Sequence, residues 1–228
     1  MHFTITVRLI LFAAATLTIQ SCKSYSASFS EYRENEIQYY ELKDNATVLD
    51  FSLGETVKVA VAGTTANNLH FYLGYAPKRP YNNVKLTKDF FERAKSKLNS
   101  HNEARFSAIE EIGDSLLVPS NSFDFVICGD HLYDFNNFSK MASEFKRVLK
   151  PKGQLLIVQR QVEKSELSDK ELKYLKDSPL PNKESLIPYF RNAGFLFVMS
   201  RQVVLNKRMG RVTNGKQTLF RFEKNGGG

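Results

Sequence analysis

Two hydrophobic periods alternate along this chain. Short apolar runs stand at residues 47–51 (TVLDF), 69–73 (LHFYL), 105–109, 123–128 (FDFVIC) and 154–158 (QLLIV). Runs of this length predict buried strands. Between the last two, Phe138, Met141, Phe145, Val148 and Leu149 recur at three- and four-residue steps behind Asn137. That spacing predicts an amphipathic helix, capped by an asparagine and ended at Pro151-Lys152-Gly153. A second helix is expected from Thr87 to Leu98, with Phe90, Phe91, Ala94 and Leu98 on one face. A third is expected over residues 31–42, with Tyr32, Ile37, Tyr40 and Leu42 on its apolar side, followed by a turn at Asp44-Asn45. A fourth covers residues 184–192 and stops at Gly194. Residues 161–183 are charged and Pro-punctuated, an exposed helix and loop. Residues 195–205 and 218–222 predict two last strands around Asn214-Gly215.

Strands alternating with helices imply a mostly parallel sheet covered on both faces. The last two strands are too closely connected for a crossover, so they are expected to run antiparallel. A sheet of this kind places its ligand at the carboxyl ends of its strands, where the strand order reverses.

Composition narrows the class. A chain of 228 residues suits one domain, and 42% apolar with 25% charged residues excludes a wholly disordered, collagen-like or multi-span membrane protein. Cys22 and Cys128 alone exclude a disulfide scaffold. His2, His70, His101 and His131 fall in no metal-ligand spacing, so no metal site is expected. The net charge of +8 is dispersed and reads as a solvated basic surface. Lys207, Arg208, Arg211 and Lys216 come with no stacking platform, so no nucleic-acid partner is expected.

The amino terminus carries a separate message. Arg8 precedes an apolar run at residues 9–19. That run is short of the about 20 residues that cross a bilayer and has the length of a signal-peptide core. Ile19-Gln20-Ser21-Cys22 follows and resembles a bacterial lipoprotein box, with Gln20 departing from the usual small or apolar residue. The resemblance implies a signal peptide at 1–21, lipidation of Cys22, a tether at 22–30, and one domain at 31–225. The expected location is the cell envelope, lipid-anchored or periplasmic.

The stretch PSNSFDFVIC at residues 119–128, continuing through FKRVLKPKGQLLIV at 145–158, resembles the fourth strand, following helix and fifth strand of class I S-adenosylmethionine-dependent methyltransferases. Ala193-Gly194-Phe195 is similar to that family's approach to its sixth strand. The resemblance implies a Rossmann-like methyltransferase fold: a seven-stranded, mostly parallel sheet with a C-terminal antiparallel pair and helices on both faces. A dehydrogenase-type Rossmann domain is the alternative, and the antiparallel pair argues against it.

The same resemblance assigns site residues. The family's first motif, V-L-D-x-G-x-G-x-G, lies over Val48 to Thr56, where Asp50 and Gly54 match and Ser52 and Thr56 replace glycines. Each replacement adds bulk where backbone meets the cofactor. Residues 56–61 (TVKVAV) alternate and are β-branched, so a bent or strand-like segment is expected where the family has a helix. The family's ribose-gripping acid falls on Gly74, beside Tyr75, a candidate adenine contact. Restoring Gly74→Asp is expected to raise cofactor affinity. Glu110, Glu111 and Asp114 are candidates for the acid near the adenine amino group, with Gly113-Asp114 resembling the family's G-D pair, and Cys128 and Gly129 end the fourth strand. His131 is the candidate general base and Tyr133 the candidate acceptor-positioning group. Cys128 itself reads as a buried small hydrophobe.

Two functions follow from these residues. One is a methyltransferase that uses S-adenosylmethionine on a small-molecule acceptor. The other is a non-catalytic, exported lipoprotein that keeps the fold and binds another ligand or a protein partner, favoured by the changes at Ser52, Thr56 and Gly74 and by the export signal.

Overall fold

The computed structural model describes residues 40–51, 66–74, 92, 95–96, 102–107, 109–110, 115–129, 132, 135, 137–169, 172, 175, 178–203 and 217–226. Its strands are β1 (Thr47–Asp50), β2 (His70–Leu73), β3 (Glu103–Phe106), β4 (Ile109–Glu110), β5 (Ser115–Leu116), β6 (Phe123–Gly129), β7 (Leu149–Arg160), β8 (Phe195–Val203) and β9 (Gln217–Lys224). Two α-helices separate the later strands, α1 (Phe138–Val148) and α2 (Lys183–Asn192).

Seven strands form one sheet in the order β3-β2-β1-β6-β7-β9-β8. Every pair from β3 to β7 is parallel, and β9 runs antiparallel to both β7 and β8. This is the expected architecture, with the antiparallel element inserted between β7 and β8. The third strand starts two residues earlier than its apolar run suggested. Ile109, its expected last residue, instead pairs with Leu116 in a separate two-stranded sheet.

The even–odd alternation of the strands divides the core in two. Leu49, Val126, Cys128, Leu155, Ile157, Phe220 and Phe222 face the helices, meeting Met141, Phe145 and Val148 of α1 and Leu186 and Phe190 of α2. Val48, Phe71, Leu73, Phe125, Ile127, Leu156, Val158 and Leu219 face the other way, toward Tyr40 and Leu42. Tyr40 and Leu42 thus lie on the apolar side as expected, but not in a helix. Glu41 between them takes a left-handed backbone with φ of 49°, and residues 41–43 are irregular. Residues 31–39 lie outside the described residues, as do most of the expected helix over 87–98, residues 56–61 and the turn at 214–215.

Local chemistry fixes the α1 region. Asn137 caps the helix, its Oδ1 accepting from the Lys140 amide at 2.9 Å. The helix stops at Val148, and β7 begins at Leu149, before the Pro-Lys-Gly turn. Arg147 ties the preceding loop down: its guanidinium donates to the carbonyls of Val118 (2.9 Å) and Leu116 (3.1 Å) and pairs with Glu144. Asp124 Oδ2 accepts from the Thr47 amide and from Lys150 Nζ, each at 2.8 Å. Lys224 Nζ donates to the Leu149 carbonyl (2.6 Å) and to Asn121 Oδ1 (2.7 Å). Burial, then the nearby Lys146, holds that ammonium below the ordinary lysine range. Arg221, buried on β9, pairs with Glu41 and so fastens the irregular lead-in to the sheet.

The segment after β7 is only partly the exposed insertion expected. Residues 164–166 form an exposed turn of 3-10 helix, whereas Pro181 and Asn182 are buried. Asn182 caps α2, accepting from the Ser185 amide at 3.0 Å. Among the described residues no helix is long and apolar enough to cross a membrane.

Core packing outweighs the polar ties in this arrangement. Phe145→Ala is expected to cost about 3–5 kcal/mol, as for other buried phenylalanines. Asp124→Ala is expected to cost about 1.5–3 kcal/mol, the range for hydrogen bonds to a charged group. Urea unfolding of both variants gives the two values, and the reverse order would contradict this account of the core.

Candidate functional site

The strand order reverses between β1 and β6, because the chain leaves β1 toward β2 on one side and returns to β6 on the other. At that point the carboxyl ends of three strands meet. Asp50 of β1 is level with Leu73 of β2 and Ile127 of β6. The next residues continue the ladder: Phe51 donates its amide to the Ile127 carbonyl at 2.9 Å, and Gly74 donates to the Asp50 carbonyl at 2.8 Å. Asp50, Gly74, Cys128 and Gly129 are therefore brought to one edge.

Each has a definite setting there. Asp50 is fully buried, on the sheet face opposite Phe51. Cys128 is fully buried in the helix-side core, as its reading as a small hydrophobe implies. Gly129 pairs with Val158 of β7 and closes β6. Ser52, Gly54, Tyr75, Asp114, His131, Tyr133 and Cys22 lie outside the described residues. Leu132 and Phe135, from the loop after β6, are both buried in the helix-side core.

Gly74 is the informative position. A Cβ on it would stand 2.1 Å from Cε1 of Phe51 and 2.5 Å from Cδ1 and Cζ of the same ring. The ring cannot easily retreat. It lies edge-on to Phe135 at 5.3 Å and tilted against Phe145 at 5.5 Å between centroids. In an interior packed to crystal-like density, a clash of this size forces a rearrangement. A carboxylate at position 74 therefore has no room while Phe51 is present. This corrects the expectation that Gly74→Asp alone restores a cofactor contact: the aromatic ring occupies the path of that side chain.

The signal for this lies in the sequence itself. Phe51 directly follows the motif's acid, and its bulk decides what position 74 can hold. A second group that the motifs did not reveal lies at the carboxyl end of β7. Gln161 Nε2 donates to Thr218 Oγ1 of β9, and the buried Asn182 reaches the Val162 carbonyl at 3.5 Å. Gln159 is paired with Thr218 across the two strands, and its buried Oε1 accepts no hydrogen bond from the described residues. These side chains form a polar wall one strand away from the end of β6. Only their position after the last apolar run could have marked them.

Comparison with known proteins agrees with this geometry. A family model described as a methyltransferase domain matches residues 61–157. No curated protein sequence matches the chain. Among solved structures, an S-adenosylmethionine-dependent methyltransferase from Aquifex aeolicus is similar at 17% identity and a TM-score of 0.57, over 83% of this chain and 88% of that one. A methyltransferase of the same cofactor class from Methanosarcina mazei is similar at 17% identity and a TM-score of 0.54, over 83% and 97%. The cyclase SpnF is similar at 16% identity and a TM-score of 0.57, over 82% and 78%. The strand order and the antiparallel β9 give this chain the fold of class I S-adenosylmethionine-dependent methyltransferases, and residues 61–157 match a methyltransferase domain.

Proposed function

We propose that this protein is an S-adenosylmethionine-dependent methyltransferase acting on a small-molecule acceptor. The observation that carries this reading is the switch point itself, where Asp50 meets Gly74 and Gly129, the last two inside the segment that matches a methyltransferase domain. The cofactor supplies a methyl group on a positively charged sulfur. What the chain contributes is placement, since methyl transfer gains most from holding the two reacting atoms in line. The polar wall of Gln159, Gln161 and Thr218 is the face against which an acceptor would be oriented, with His131 as base and Tyr133 as positioning group.

The described residues fit the cofactor incompletely. Phe51 excludes a carboxylate at position 74, so the two ribose hydroxyls lose a charged hydrogen-bonding partner there. A lost contact of that kind typically weakens binding by about 1.5–3 kcal/mol, roughly tenfold to a hundredfold. The same observation favours a second reading, a non-catalytic member of the family that has exchanged its ligand. SpnF, named as a cyclase, is consistent with a fold of this shape serving other chemistry.

Export belongs to the proposal. The run at 9–19 followed by Cys22 supports a cleaved signal peptide and a lipid-modified cysteine, which would hold the protein at the cell envelope. Metabolic labelling with a radioactive fatty acid is expected to mark the wild type and not Cys22→Ala. An unlabelled wild type would refute the anchor.

Calorimetric titration with S-adenosylmethionine and its demethylated product is expected to give saturable binding below about 1 mM. Absence of binding to the folded protein at that concentration would favour the non-catalytic reading. The Phe51–Gly74 contact has its own check in a double-mutant cycle. Gly74→Ala is expected to destabilise the wild type by about 1–3 kcal/mol, and by markedly less in a Phe51→Val background. Additive effects would mean that the two residues do not compete for one space. Gly74→Asp is expected to leave cofactor affinity unimproved in the wild type and to raise it only beside Phe51→Val.

A further inference from the structure

A second feature lies at the opposite, amino-terminal edge of the sheet. There a cleft of about 230 Å³ opens between the lead-in to β1, the start of β6 and the turn of β7. Its lining includes Lys43, Lys150 and Lys152, with Asp124 as its acid. That acid is already engaged: its Oδ2 holds the Thr47 amide and the Lys150 ammonium. Lys43 and Lys152 are exposed, and among the described residues neither has an anionic partner. The cleft thus carries two uncompensated cations.

The backbone adds an independent sign. Lys152 takes a left-handed conformation, with φ of 62°. Such a position favours glycine, and a lysine there is held against its own preference. Gly153 behind it is needed as glycine, since a Cβ would stand 2.8 Å from the Lys150 carbonyl oxygen. A local rule is broken at the residue that brings a cation to the cleft, a pattern expected where a ligand is bound.

Location points to the ligand. The described chain begins at Tyr40, three residues before Lys43, so the point where it is joined by the preceding residues is next to the cleft. Those residues include the expected tether to a lipidated Cys22. The choice of ligand rests on the proposed anchor at Cys22: with the chain tethered there, a cleft of lysines beside Tyr40 would meet the anionic surface of a bilayer, where each basic residue adds to the attraction. We propose that the cleft formed by Lys43, Lys150 and Lys152 binds a phosphate group, carried by the headgroup of an anionic phospholipid. The proposal does not depend on methyl transfer, which would occur at the other edge.

The test titrates the full chain, in non-ionic detergent at low ionic strength, with two soluble probes. One is glycerophosphoglycerol, the headgroup diester of phosphatidylglycerol, and the other is inorganic phosphate. The diester is expected to bind, and the paired change Lys43→Ala with Lys152→Gly to weaken it by about tenfold or more. Lys152→Gly removes the charge while relaxing the left-handed backbone, so its thermal midpoint should not fall and misfolding is separated from lost binding. Lys140→Ala, at the other end of the molecule, should leave the affinity unchanged. The site is refuted if neither probe binds below about 10 mM, if the paired variant binds as the wild type does, or if Lys140→Ala weakens binding equally. Binding of inorganic phosphate without the diester would refute the lipid headgroup as its source.

Discussion

One carboxylate joins the three central strands. Asp124 lies on β6, receives the first amide of β1, and holds a lysine of β7. The reversal of strand order depends on β1 and β6 lying side by side in the right register. A backbone amide at the start of a strand has no partner in its own ladder and must find one elsewhere. Asp124 satisfies that amide and so sets where β1 begins relative to β6. Three residues later the register delivers Asp50 to the carboxyl edge, level with Ile127. The position of the candidate site is thus decided at the far end of the sheet.

This explains which parts of the chain were legible. The stretch 119–158 resembles a methyltransferase because its residues are structural. Asn121 turns the chain with φ of 57°, Asp124 and Lys150 form the strand tie, and Arg147 fastens the loop before β6. Phe145, Val148 and Leu149 fill the core. None of these side chains needs a ligand, so their pattern persists whatever the edge binds. Periodicity found the start of α1 and its asparagine cap, because its buried stripe is unambiguous, but carried the helix past Val148, where β7 already begins at Leu149. It misplaced the third strand and the segment at 41–43, where run length and composition do not distinguish a strand end from a hairpin or a helix from an irregular strap.

The site was less legible for a physical reason. A motif compares residues one position at a time, whereas packing couples them. Read singly, Gly74 is a missing acid. Read against Phe51, it is half of an exchange in which a ring has entered the space that a side chain would need. The ring also joins Phe135 and Phe145, so the exchange is continuous with the helix-side core and is not a local vacancy. Reversing it requires both positions to change. Sequence distance hides this, because the two residues are neighbours only through the parallel pairing of β1 with β2.

The same sheet separates two kinds of chemistry. In a parallel sheet the strand ends differ: carboxyl ends gather the loops that take a ligand, and amino ends gather the returns from the helices. Here the amino ends also collect Lys43, Lys150 and Lys152 beside the incoming chain. The carboxyl ends carry Asp50, Gly129 and the amide-rich end of β7. The length of the strands keeps these sets apart, so a contact at one edge need not obstruct the other. An anchored protein of this design would turn its basic edge toward the bilayer and its switch point away from it. With the proposed anchor and headgroup site, an acceptor would then approach the switch point from solvent and not from the lipid.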